Sequence, residues 1–312
     1  MDILKSLKKY FGFDSFRKGQ DELVENILKG NDVLGVLPTG GGKSICYQLP
    51  ALMLDGICLV ISPLISLMKD QVDSLKENGI KAEFINSSQD IKTYTQTLRK
   101  IKRNEIKILY ISPERLENEF FIDFIEDLNI SFIAVDEAHC ISQWGHDFRP
   151  SYKLIPQIYD LFDKKIQIAA FTATATKSVR EDIINNLKLS NPFVKVTGFD
   201  RENLLFEVRK PKDKLAFLSN YLSDKKDLSG IIYASTRKRV ETSYKYLKKL
   251  SYNVTLYHAG LSDKEKKKNQ EDFIYDRKNI IVATNAFGMG IDKSDVRYVI
   301  HMNMPKDMES YY

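Results

Sequence analysis

The chain has little cysteine, a single tryptophan and no long uninterrupted apolar run, and the shortages exclude several classes of protein. Three cysteines, Cys46, Cys58 and Cys140, are an odd number with no CxxC pair among them. They can build neither a disulfide framework nor a structural zinc cluster, so reduced thiols are expected. The longest nearly apolar stretch, GICLVISPLISLM from Gly56 to Met68, is broken by Pro63 and falls short of the roughly 20 residues that a membrane helix needs. The opening MDILKSLKKYFGFDS lacks the apolar core of a secretion signal, which makes the cytosol the expected compartment. Neither a low-complexity tract nor a short-period repeat is present, so solenoid architectures are not indicated.

What is present is ordinary for a globular protein with sizeable cores: 43% hydrophobic and 29% charged residues. A length of 312 residues exceeds the usual single domain and predicts two. Charge is unevenly spread. Up to residue 200 there are 25 Lys and Arg against 27 Asp and Glu, a balance of −2; beyond it there are 22 against 15, a balance of +7. A basic second half suggests contact with a polyanion such as nucleic acid, although a run such as Lys264 to Lys268 is by itself an ordinary solvated helix face.

Short aliphatic and β-branched runs alternate with amphipathic ones, which predicts α/β architecture with parallel sheets covered by helices on both faces. Expected strands are DVLGVLP, ICLVISP, KILYISP, FIAVDEA and QIAAFTAT in the first half, then GIIYAS, NVTLYH, NIIVATN and VRYVIHMN. LISLMKDQVDSLKENG reads as a helix with Leu64, Leu67, Met68, Val72 and Leu75 on one face and a stop at Gly79. The segment LSNPFVKVTGFDRENLLFEVRKPKDK, with Pro192, Gly198 and Pro211, reads as a connection. It places the boundary between residues 199 and 201, giving domains 1–200 and 201–312.

LPTGGGKS, Leu37 to Ser44, follows an expected strand and opens a helical stretch. In that context the backbone N–H groups of Thr39, Gly40, Gly41 and Gly42 can wrap phosphates at a helix N-terminus. Lys43 would reach the β- and γ-phosphates of ATP and Ser44 would ligate Mg²⁺. The general pattern wants glycine at position 37, where this chain has Leu37; a plain glycine turn is the competing account.

The fifteen residues DEAHCISQWGHDFRP, Asp136 to Pro150, gather acids, imidazoles, aromatics and a guanidinium. A buried strand ending in adjacent acids puts Asp136 where it can hold magnesium through water. Glu137 then stands where it can take a proton from attacking water. The same acids could instead cap a following helix, EAHCISQW. A zinc site from His139, Cys140 and His146 fits no common ligand spacing. For Trp144 and Phe148, core packing is the competing account.

These residues resemble the superfamily 2 helicases, whose acidic motif has the form DExH, and the remaining segments resemble the RecQ family. LKKYFGFDSFRKGQ, Leu7 to Gln20, is similar to that family's adenine-recognition segment, which implies that Gln20 reads the adenine edge and that Phe13 and Arg17 stack on the ring. Without the resemblance, Phe11, Phe13 and Phe16 would read as core. The stretch SQWGHDFRPSY is similar to the family's aromatic-rich loop and implies that Trp144, His146, Phe148 and Arg149 sense single-stranded DNA and signal to the ATP site. SPLISLMKDQ and ISPERL resemble segments that grip the DNA backbone, and FTATAT one that couples hydrolysis to domain movement. YASTRK, YHAG and VATNAFGMGIDK match motor motifs of the second half. They make Ser235, Thr236, Arg237, His258 and Thr284 candidate backbone contacts and place Asp292 near the ribose or the ATP site. The resemblance implies two RecA-like domains, ATP and Mg²⁺ as cofactors, and single-stranded and partly duplex DNA as partner. The activity it implies is 3′ to 5′ unwinding, of the kind that serves DNA repair and recombination. It also implies a second domain that is incomplete after PKDMESYY, without the motif that supplies an arginine finger. Two further readings stay open: a translocase that does not separate strands, and a nucleotide-dependent DNA-binding fragment with little catalysis.

Overall fold

The computed structural model describes residues 2–86, 89–145, 147–162, 165–198, 203–285, 287, 293, 295–305 and 311. The chain forms two compact units, Met1–Arg201 and Glu202–Tyr312. The first contains β1 (Val33–Val36), β2 (Ile57–Ile61), β3 (Ala82–Ile85), β4 (Ile108–Ile111), β5 (Ile130–Val135), β6 (Ile168–Thr172) and β7 (Phe193–Val196). They form one sheet in the order β3-β4-β2-β5-β6-β1-β7, with every pairing parallel. Its helices are α1 (Ile3–Phe11), α2 (Gln20–Leu28), α3 (Lys43–Met53), α4 (Ile65–Glu77), α5 (Ile91–Lys102), α6 (Glu119–Glu126) and α7 (Lys177–Asn186).

The sheet is buried on both faces because its strands are apolar at consecutive positions. Ile57, Leu59, Ile61, Ile133 and Val135 enter one core cluster, whereas Cys58, Val60, Phe132 and Ala134 enter another. Successive side chains of a strand point to opposite faces, so each face needs its own helical cover. In α4, Met68, Val72 and Leu75 are buried, and Gly79 follows at φ 72°, a left-handed value that ends the helix without a Cβ penalty.

β7 corrects the reading of LSNPFVKVTGF as mere connection, since its Phe193 to Val196 pair in register with Val33 to Val36 of β1. It is an edge strand of only four residues with alternating half-buried and exposed side chains, so it lacks the continuous apolar run that marks an interior strand.

The second unit repeats the scheme. β8 (Ser229–Tyr233), β9 (Val254–Tyr257), β10 (Ile280–Ala283) and β11 (Val296–His301) pair in parallel in the order β11-β8-β10-β9. Helices α8 (Lys214–Leu222), α9 (Arg237–Lys249) and α10 (Asp263–Ile274) accompany them. Ile232, Ile280 and Val282 face one cluster, and Ile231, Ile281 and Ala283 the other. No helix among the described residues is long and apolar enough to cross a membrane.

Gly230 of β8 lies beneath the ring of its β11 neighbour Tyr298, and a Cβ there would stand 2.0 Å from the ring. Gly230→Ala is therefore expected to displace Tyr298 and destabilise the second unit by about 1–3 kcal/mol. Urea unfolding followed by circular dichroism should show a lower midpoint with an unchanged slope for that transition.

Candidate active site

Parallel strands deliver their following loops to one edge of a sheet, where ligands of α/β folds bind. In the first unit, β1 and β5 flank β6, so the glycine loop after β1 and the acids after β5 leave the sheet about 10 Å apart. Leu37 still belongs to the core: it is buried, and its N–H donates to Thr172 O at 3.1 Å. That accounts for a leucine where the general phosphate-loop pattern has glycine. Beyond it the chain turns through Gly40 and Gly42, at φ 75° and 76°, and α3 starts at Lys43. Lys43 and Ser44 thus stand in the helix's first turn, where N–H groups have no intrahelical acceptor.

Gln20 braces this loop. Its buried amide donates to Gly41 O and Gly42 O, both at 3.1 Å, and its Oε1 accepts from the Arg17 N–H at 2.8 Å. The Arg17 guanidinium donates to Gly40 O. Of the phenylalanines nearby, Phe11 and Phe16 pack on Leu7, Val24 and Leu49, while Phe13 is 48% exposed. The residue type alone suggested core for all three; the structure leaves Phe13 at the surface.

At the end of β5, Asp136 is only 7% exposed. Burial and the neighbouring Glu137 charge push its carboxyl from an ordinary 3.8 up to about 7, against the pull of Lys43. Its Oδ1 accepts from the Glu137 N–H at 3.0 Å, and its Oδ2 from Ser62 Oγ at 3.4 Å. Glu137 adopts φ 47°, ψ 46°, a left-handed conformation costly for a residue with a Cβ. The chain then enters a short 3-10 turn, Ala138–Ile141, rather than the longer helix the acids could have capped.

His139 is buried, with Nδ1 2.8 Å from Thr172 Oγ1 and 3.3 Å from Glu137 Oε2. Thr172 donates its hydroxyl hydrogen to Thr174 O at 3.0 Å, so its oxygen accepts from His139 and the proton sits on Nδ1. Glu137 is thereby tied to the FTATAT segment. No cluster of metal-ligating His, Cys, Asp and Glu exists among the described residues.

The loop that follows carries Trp144 at its surface, 78% exposed, which removes core packing as the account of this residue. Phe148 is half-buried under the Lys153 ammonium, 5.3 Å from the ring centre. Arg149 bonds Pro63 O at 2.9 Å and Asp147 Oδ2 at 3.2 Å, and its N–H closes the loop base on Cys140 O at 2.8 Å. Trp144 N–H donates to Ser142 Oγ, which donates to Asp182 of α7 at 2.8 Å. His146 lies outside the described residues.

The two segments expected to grip the DNA backbone differ from each other in structure. In SPLISLMKDQ, Ser62 is buried and its hydroxyl is turned to Asp136. After β4, Ser112, Glu114, Arg115, Glu117 and Asn118 line a cavity of about 260 Å³. Ser112 Oγ and Arg115 Nε have no partner among the described residues.

In the second unit Ser235, Thr236, Arg237, His258 and Thr284 all follow the carboxyl ends of β8, β9 and β10. Thr236 caps α9 by accepting from the Arg239 N–H, and Arg237, Lys238 and Arg239 are exposed in that first turn. His258 departs from the expectation of a surface contact: it is 5% exposed, with Nδ1 accepting from the Gly260 N–H and Nε2 facing Glu241 at 3.7 Å. Asp292 lies outside the described residues. Sequence reasoning missed Ser62, Thr172 and Tyr152 as neighbours of the acids; Tyr152 Oη donates to Asp136 O at 2.8 Å.

A carboxyl whose folded-state pKa is raised binds its proton more tightly in the native chain, so it lowers stability as pH climbs from about 4 to about 7. In thermal melts without nucleotide or metal, Asp136→Asn should match the parent near pH 4. It should melt higher above pH 7, by on the order of a few kcal/mol at about 1.4 kcal/mol per pKa unit.

Comparison with known proteins gives this geometry a lineage. The DEAD/DEAH box helicase model matches residues 17–183, and the helicase conserved C-terminal domain model matches residues 213–312. An ATP-dependent DNA helicase RecQ of Bacillus subtilis is 48% identical over 98% of this chain, and one of Haemophilus influenzae is 45% identical over 99%. The chain spans about half the length of these relatives, 52% and 50%. Among solved structures, S. cerevisiae Dbp5 bound to RNA and ADP BeF3 superposes with a TM-score of 0.77 at 18% identity, covering 99% of this chain and 81% of that one. Mycobacterium smegmatis Lhr bound to ssDNA and AMP-PNP gives 0.77 at 18%, covering 100% and 46%. At such identities the likeness concerns the fold, two RecA-like domains with parallel sheets between helices. The two family models together with the RecQ relatives establish that the chain belongs to the DEAD/DEAH box helicases and, within them, to the RecQ family.

Proposed function

We propose that this chain is the motor of an ATP-dependent DNA helicase, in which the glycine loop and the Asp136–Glu137 pair hydrolyse ATP under control of the Trp144 loop. The carrying observation is the bond network around Glu137: its neighbour His139 reaches Thr172, and the loop that exposes Trp144 closes at Cys140. Lys43 and the loop N–H groups stabilise charge on the transferred phosphoryl group, as positioned donors do where charge develops. Glu137, partly open to solvent, accepts a proton from the attacking water.

The residues present also fit Mg²⁺. Asp136 is a buried carboxyl whose charged form is disfavoured by its surroundings, and with Ser44 it offers hard oxygen donors alone. Ser44 and Asp136 would hold the ion together with phosphate oxygens and water, and it would supply neutralisation of phosphate charge.

For DNA, Trp144 offers a stacking face worth about 1–3 kcal/mol per base. In the second unit, Arg237, Lys238 and Arg239 crowd positive charge at a helix N-terminus, where cations are disfavoured unless an anion joins them. None of the three pairs with an acid among the described residues. Ser235, Thr236, Arg237 and Thr284 are therefore assigned to the DNA backbone, exposed Phe13 and Arg17 to the adenine, and Arg149 and Phe148 to the sensing loop, whereas Gln20, expected to read the adenine edge, has its amide turned to the glycine loop.

Glu137→Gln should bind ATP with parental affinity and hydrolyse it at least about a hundredfold more slowly; an unchanged turnover in a coupled ATPase assay would reject the assignment. Trp144→Ala should retain ATP binding and basal turnover but lose most of the stimulation by single-stranded DNA. Full stimulation at fixed salt would remove Trp144 from the coupling path.

A further inference from the structure

Resting on that reading of the acid pair, we infer that Tyr152 is a positioning residue for the hydrolytic step, holding the peptide that sets the backbone conformation of Glu137. The peptide between Asp136 and Glu137 is gripped at both ends. Its carbonyl accepts from Tyr152 Oη at 2.8 Å, and its N–H donates to Asp136 Oδ1 at 3.0 Å. Rotation of that peptide changes φ of Glu137, which stands at 47° in the left-handed region. A residue with a Cβ remains there only when its surroundings over-determine it. The Glu137 carbonyl adds a third restraint by accepting from the Cys140 N–H at 2.9 Å.

Tyr152 suits the task. It is fully buried within the larger core of the first unit. Burial and the nearby charges hold its phenol well above the ordinary range, so it stays a donor at every working pH. It also follows the sensing loop directly, in the 3-10 segment Pro150–Leu161, with its N–H on Arg149 O at 3.1 Å. Cys140 and Arg149, which close the loop base, therefore lie in the chain between two anchors of the acids, His139 and Tyr152.

Tyr152→Phe keeps the ring and removes the donor. The full chain should keep its affinity for a fluorescent ATP analogue and remain folded by circular dichroism at assay temperature. Its kcat should fall about tenfold or more, with and without single-stranded DNA, at unchanged KM for ATP, since misplacing a catalytic group is costly. Parent and Glu137→Gln are measured alongside. If the parent hydrolyses ATP and Glu137→Gln does not, but Tyr152→Phe retains parental kcat or loses only thermal stability, the positioning role is overturned while the acid assignment stands. If Glu137→Gln keeps parental turnover, the acid assignment itself fails.

Discussion

Parallel pairing around β6 is the constraint on which the candidate site depends. Because β1, β5 and β6 run the same way, their exits fall on one edge of the sheet. Residues far apart in sequence, Lys43, Asp136 and Thr172, are thereby brought to the same edge of the sheet. An antiparallel arrangement would send alternate loops to opposite edges and scatter them. The apolar strands that hold this order are buried on both faces, so the placement of the candidate-site loops is fixed by core packing rather than by the loops themselves.

Against that rigid base the site concentrates unfavourable features. Asp136 is buried beside a second acid, Glu137 has a left-handed backbone, and Trp144 stands in solvent. The buried acid and the left-handed backbone are costly by themselves and are held by neighbours that are well packed: Ser62, Tyr152 and His139 are buried and hydrogen-bonded. Such local costs are a common mark of functional sites, where the strain is countered by the surrounding fold.

The interior strands were legible because burial on both faces writes continuous apolar runs such as ICLVI and FIAV into the sequence. β3 and β7 were not. Ala82–Ile85 and Phe193–Val196 lie at the sheet's edges, four residues each and partly exposed, with no run to distinguish them from loop. Proline and glycine around β7 strengthened the wrong reading. GGGKS and DEAH were legible as chemistry, because a glycine loop with lysine and adjacent acids at a strand end are local patterns. Their partners were not, since Ser62 lies 74 residues from Asp136, Thr172 lies 33 from His139, and Tyr152 reads as one more core aromatic.

The sequence by itself determined the kind of fold and the kind of chemistry, because periodic burial and phosphate-loop composition are encoded by neighbours along the chain. The tertiary structure alone decided which phenylalanine faces solvent, that Trp144 is exposed, that His258 is buried, and which hydroxyl holds the Asp136–Glu137 peptide. Those outcomes depend on which strands lie side by side and what covers each face. That is settled by long-range packing, of which a residue's own neighbours in sequence carry no record.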